Sequence, residues 1–287
     1  MHYDAFSKCH PLVNFVFFVG AIGFGVVIQH PAYILAGCLA AAGYYCLLKP
    51  RAAWKVLLGM VPAFLVLAAV NPLFNHEGER VLFTIFGNPY TLEALYYGMA
   101  VGGIFVVMLL WFLCYCLVLT SDKFICLFGR LIPALSLLLT MVLRMIPNLI
   151  RKARQILGSR RSVGKGTAAT GREKLRSAAT VVSALTDWAL EGSIVTADSM
   201  RARGYGTAKR TNFRIYRLTG RDILLLAVMG LLSAAVLILG GTAASFTPAY
   251  SADPVGWGLA AYGAFLLIPV ILHVKEAILW HILISKM

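Results

Sequence analysis

The residues in this chain that could do chemistry are few, and most of them are basic. Asp187 and Glu191 lie four apart, which puts both carboxylates on one face of a helix, with Asp198 further along. Clustered carboxylates at a membrane surface would suit a membrane-embedded enzyme acting on lipids or isoprenoids. An ordinary solvated helix face gives the same pattern and is the preferred reading. Cys114 and Cys116 are two apart, so on a helix they point about 200° away from each other and cannot share a metal. Most of Cys9, Cys38, Cys46 and Cys126 fall inside or beside apolar runs, where a thiol packs as a small hydrophobe. No metal site and no disulfide framework is expected. Gly164-Lys165-Gly166-Thr167 shares the last residues of a phosphate-binding loop. However, Gly158 stands one position too early, Gly166 replaces the hydroxyl residue, and no strand precedes it. The expectation is a flexible basic loop, with no cofactor and no ATP hydrolysis by the chain itself. Arginine remains as the chemistry-bearing residue.

The elements that must position those arginines are membrane helices. Of 287 residues, 60% are hydrophobic and 13% charged, where a soluble domain carries about 25% charged residues. Apolar runs over about 11–28, 31–48, 54–73, 92–120, 223–246 and 255–273 each suit a crossing. The fold class is therefore an all-α polytopic membrane protein of about six spans. Lys8 before the first run invites a signal-peptide reading, but the apolar stretch continues almost unbroken to Leu48, so a retained first helix is expected. Residues 81–86 followed by Gly87-Asn88-Pro89 read as a short strand or hairpin ending in a turn, and Thr91 as an N-cap with Glu93 in the first turn. The segment 131–143, with prolines at Pro133 and Pro147, reads as a half-length or membrane-surface helix, and 173–200 as a second, amphipathic one.

Charge placement orients the spans. The net charge of +14 does not indicate nucleic acid, because the cations sit between or beside apolar runs. Residues 144–221 hold 17 of the 26 Lys and Arg, which puts that segment in the cytoplasm. The Lys49–Lys55 turn and both termini then fall inside, and the acidic 77–79 loop falls outside. The expected organisation is a four-span N-terminal region over 1–121 with an outer loop at about 74–91, a cytoplasmic region over 122–221, and two closing spans over 222–287. None of the full spans carries Asp, Glu, Lys or Arg at its middle, which argues against an ion-coupled secondary transporter.

The most informative stretch is Ser199-Met200-Arg201-Ala202-Arg203-Gly204-Tyr205-Gly206. A helix should end near Arg203, with Gly204 supplying the left-handed position beyond it. Cations there complement the helix dipole, yet the dipole does not ask for a compact Ala-Arg-Gly-Tyr set. A small residue beside arginine permits close approach, and the guanidinium offers a rigid fork to a partner carboxylate.

Residues Ala197 to Tyr205 resemble the signature of the transmembrane T component of energy-coupling factor transporters, which are vitamin and metal-ion importers of the ATP-binding-cassette class. Leu143-Arg144-Met145-Ile146-Pro147 is similar to the element that precedes that family's first coupling motif, and Ser7-Lys8-Cys9-His10-Pro11-Leu12 to its N-terminal segment. The resemblance implies two long cytoplasmic coupling helices, each docking on one of two ABC ATPase subunits. It implies that Ala202, Arg203 and Gly204 form one docking point, supported by Asp198, Arg201 and Tyr205. Arg160 or Arg161 would serve the other, with Arg144 and Pro147 in support. The family's glycine is missing from Gly158-Ser159-Arg160-Arg161-Ser162, so the choice between those two arginines stays open. It further implies a small substrate-binding membrane subunit, the S component, as a partner within the bilayer, and a location in the plasma membrane. A conventional ABC permease, a membrane-embedded enzyme and a polybasic lipid-binding scaffold are the competing readings.

Overall fold

The computed structural model describes residues 6–75, 81–85, 88–128, 133–164, 171–207, 216, 218–240, 244–245, 251–252, 254 and 256–285. Helices α1 (Pro11–Val27), α2 (Pro31–Leu48) and α3 (Pro50–Phe74) each begin on a proline. Proline has no N–H to leave unsatisfied in a first turn, and its ring presets the helical φ. His10 and His30 cap α1 and α2 through Nδ1, which accepts from Leu12 N and Ala32 N, each at 3.2 Å. The hairpin β1 (Val81–Ile85) and β2 (Asn88–Thr91) precedes α4 (Leu92–Val118). Thr91 Oγ1 accepts from Ala94 N at 3.3 Å, so the expected cap is present.

The chain continues through α5 (Ser121–Phe128), α6 (Pro133–Ser162), α7 (Gly171–Ala202) and α8 (Gly220–Ile238). A small hairpin, β3 (Ala244–Ser245) with β4 (Ser251–Ala252), leads to α9 (Trp257–Ser285). Among the described residues, α2, α3, α4, α8 and α9 hold stretches long and apolar enough to cross a membrane. Helix α1 is apolar and has 17 residues, the lower limit of about 17 for a crossing. The all-α polytopic class thus holds.

The boundaries differ from expectation in three places. Residues 133–143 do not form a separate short helix, because α6 runs unbroken for 30 residues with Pro147 inside it, while 131 and 132 lie outside the described residues. An internal proline removes one hydrogen bond at a cost of about 3 kcal/mol. Leu, Arg, Lys, Ala and Gln on both flanks are strong helix formers and carry the helix through. Gly158 likewise lies within α6 instead of loosening a loop. Helix α8 stops at Ile238, eight residues early, and Gly240 beyond it takes φ +64. Helix α9 extends past Pro269 to Ser285. The acidic loop at 77–80 and the cations Lys165, Lys209, Arg210, Arg214 and Arg217 lie outside the described residues.

Two compact units result: residues 1–124 with 216–287, and residues 125–215. The first unit has an aromatic centre. Phe17 stacks on Phe265 at 5.3 Å between centroids and meets Trp111 edge-on at 5.5 Å, with Phe6, Phe18 and Tyr44 around them. These rings tie α1, α2, α4 and α9 together through area burial and quadrupole-favoured edge contacts. Between α3 and α4 the backbones approach closely at Gly98 and Gly102, four apart on α4. In a bilayer, where lipid is as apolar as leucine, small residues that admit close packing drive such pairing. The sequence reading missed this pair, although its small-xxx-small spacing was visible.

Asn14 is fully buried in the aromatic centre, and neither amide atom has a hydrogen-bond partner among the described residues. Substituting a buried unsatisfied polar group with an apolar one of similar shape is neutral or stabilising. Asn14→Leu is therefore expected to hold or raise the melting temperature of the detergent-purified chain, by the equivalent of about 1 kcal/mol. A clear fall in melting temperature would show that the amide is engaged.

Candidate partner-docking site

In the second unit, α6 and α7 are both amphipathic. Lys152 Nζ lies 5.8 Å from the Trp188 ring centre, a cation–π contact between the two helices. Each helix keeps an apolar stripe in the open. On α6 it passes through Leu135, Leu138, Val142, Ile146 and Ile150, and on α7 through Leu190 and Ile194, all exposed. Spacings of three and four place each set on one face.

Helix α7 ends in a fully formed glycine cap. Tyr205 N donates to Met200 O at 3.0 Å and Gly204 N to Arg201 O at 2.9 Å. That is the Schellman pair of bonds, with Gly204 in the left-handed region at φ +79. Thr207 Oγ1 closes the turn on Gly204 O at 2.8 Å. Backbone bonds and the Thr207 hydroxyl hold this end without using either arginine side chain. Asp198, Arg201, Ala202, Arg203, Gly204 and Tyr205 are all exposed, and they fall within about two turns of chain. Among the described residues, no ion pair engages Arg201 or Arg203. The arrangement presents two guanidinium forks at the negative end of a 32-residue helix dipole, flanked by a small residue and a phenol.

Helix α6 also runs into a left-handed glycine, which the sequence did not reveal. Gly164 takes φ +72 and its N–H donates to Arg161 O at 3.0 Å. The glycine absent from the Arg160-Arg161 triplet is thus supplied two residues after Ser162. Counted back from the left-handed glycine, Arg161 matches Arg201, while Val163 stands where Arg203 stands in α7. Arg161 is exposed. Arg160 is half-buried, and its Nε is buried without a partner among the described residues. Arg144 and Pro147 are exposed near the middle of α6, about 25 and 21 Å along the axis from Arg161 by helix rise, so the fold does not bring them to that end. Asp187 and Glu191 are exposed on α7, as on a solvated face. Among the described residues, no three His, Cys, Asp or Glu side chains gather closely enough to hold a metal. Cys114 is buried and Cys116 exposed, pointing apart on α4.

The first unit contains a cavity of about 720 Å³ between α2, α3 and α4. Leu35, Leu57, Met60, Phe64, Met99 and Val106 line it, and no charged side chain does. Such a lining suits hydrocarbon and offers nothing to a hydrated ion.

Several crossing helices, joined to a separate unit of two long amphipathic helices with exposed basic ends, define a multi-pass membrane protein. Residues 9–213 match the CbiQ family, described as cobalt transport protein. The chain belongs to that family and is a membrane component of a transport system. No curated protein matches it.

Proposed function

We propose that the chain is the transmembrane energy-coupling subunit of an energy-coupling factor type ABC importer. In this reading two ABC ATPases dock on the basic ends of α6 and α7 and hydrolyse ATP. Their motion passes through those helices to a small membrane substrate-binding subunit. The chain itself is not catalytic.

The observation that carries the reading is the α7 end. Arg203 is exposed, carries no internal ion pair among the described residues, and sits on a cap made of backbone bonds. A charged fork held rigidly and left unneutralised is suited to a partner carboxylate. For the first docking point we take Arg161 over Arg160, because Arg161 is exposed whereas Arg160 is half-buried. Ala202 and Gly204 would let a partner's backbone approach, with Asp198, Arg201 and Tyr205 around them. Arg144 and Pro147 would then shape the helix instead of meeting an ATPase. The open apolar stripes of α6 and α7 are the surfaces offered to the substrate-binding subunit.

The cargo, a vitamin or a transition-metal ion, would be held by that other subunit. The apolar lining of the cavity in this chain supports the division of labour, and it weighs against a conventional permease with its own polar path. Positive-inside placement of the basic unit sets the orientation, with both termini cytoplasmic in the plasma membrane. Affinity purification of the tagged chain in mild detergent tests the proposal. Two ABC ATPases and one small membrane protein should co-purify, and a chain that purifies without any ATPase would end this reading.

A further inference from the structure

The chain leaves the membrane-spanning unit after Phe124 and re-enters it at Tyr216. Within the spanning unit, both of these roots are bonded to the same short N-terminal segment. At the exit, Lys123 is 4% exposed. Its ammonium donates to Ser7 O, to Ser7 Oγ at 2.7 Å and to Val118 O at 2.8 Å. These acceptors match the three protons of the group. A lysine in the first turn of a helix, as here in α5, opposes the dipole. Its position is explained by what it reaches, namely a terminal carbonyl of α4 and the Ser7 pair.

At the return, Asp222 is 5% exposed. Its Oδ2 accepts from Thr219 N at 2.9 Å and Thr219 Oγ1 at 2.7 Å, and its Oδ1 accepts from His10 N at 3.2 Å. The Thr219 bonds cap α8, whereas the His10 bond crosses 212 residues of chain. Between these two anchors Lys8 pairs with Glu276 of α9. That pair is part-exposed and contributes well under 1 kcal/mol. The bonds made by the two buried charges, Lys123 and Asp222, are the stronger ones.

We infer that Ser7–His10 is a strap that fixes both roots of the 125–215 unit in the membrane frame, with Lys123 and Asp222 as positioning residues. The inference about coupling rests on the function proposed above. If the roots are fixed, force arriving along the chain from either side reaches α4 and α8 instead of being lost in loose linkers.

Hydrogen exchange of the purified full chain tests the strap without reference to transport. Lys123→Met should raise amide exchange at 119–124 and 7–10 by about tenfold or more, the usual consequence of losing bonds to a buried charge. Asp222→Asn should do the same at 218–223. Both should leave the α3–α4 amides unchanged. Ser7→Ala removes only the Oγ contact and should give a smaller rise at the Lys123 peptides, which keeps the test decisive should Lys123→Met fail to fold. Unchanged exchange at the roots, or a uniform rise over all helices, would overturn the strap. In the assembled transporter in liposomes, Lys123→Met should lower uptake per ATP hydrolysed by about tenfold while hydrolysis changes by less than about twofold. An altered exchange pattern with an unaltered uptake-to-hydrolysis ratio would overturn the positioning role. No ATP-driven uptake by the wild type would sink the coupling reading alone, and the exchange comparison would still decide the strap.

Discussion

Replacing Arg203 with glutamate is expected to strip an ATPase from the purified complex while leaving the chain folded. Reversing the charge at a buried arginine–carboxylate contact costs about 2–5 kcal/mol, a loss of about thirtyfold to several thousandfold in affinity. The side chain is exposed in the chain alone, and the cap beneath it is made by the Tyr205 and Gly204 N–H groups. The melting temperature of the isolated chain should therefore move little, since only a favourable charge–dipole contact of about 0.3–1 kcal/mol is reversed. Arg203→Lys should lie between the two, keeping the charge but losing the planar fork. Parallel pull-downs of wild type and both variants, with ATPase content measured by mass spectrometry, check this. Equal recovery of both ATPases with Arg203→Glu would remove Arg203 from the interface.

The second large effect is structural. Gly98→Val should abolish the ordered pairing of α3 with α4 and sharply reduce the yield of monodisperse protein. A Cβ at Gly98 would lie 2.6 Å from Ala68 O and 3.1 Å from Asn71 Cβ. The first contact is with backbone, which cannot rotate away, so the helices must separate along their length. Overpacking of this kind costs about 1–3 kcal/mol and more where the backbone must shift. Valine adds two further carbons in the same space. Gly59→Ala on α3 is the control, because nothing lies within 4 Å of a Cβ there. Size-exclusion profiles and melting temperatures of the two variants decide the matter. A Gly98→Val chain as stable as wild type would mean that α3 and α4 are not held at this distance.

Apolar run lengths, Thr91 as a cap and Gly204 beyond α7 were legible in the sequence because each is a local matter. Hydrophobic length, a hydroxyl three residues from an amide and a residue free of Cβ strain all act within one or two turns. The residues proposed for docking at the end of α7 were picked out for the same reason, being contiguous from Asp198 to Tyr205. The α6 end was only half legible. Its glycine, Gly164, lies beyond the arginines and looked like part of a loop, and only the observed φ and the bond to Arg161 O make it a cap. Burial then separated Arg160 from Arg161, a distinction two adjacent identical residues cannot carry themselves.

What the tertiary structure alone decided involves partners far apart in the chain. Pro147 reads as a break by local rules, and only the folded helix shows that its flanks outweigh it. Lys123 and Asp222 stand beside apolar spans, each next to an opposite charge (Asp122 and Arg221), and are indistinguishable in sequence from other interfacial residues. Their acceptors and donors are Ser7, 116 residues away, and His10, 212 residues away. Pairings at such separation follow from how α1, α4 and α8 pack, and neither periodicity nor composition encodes that packing directly. The membrane sets which segments become helices; side-chain complementarity between those helices sets which charges meet.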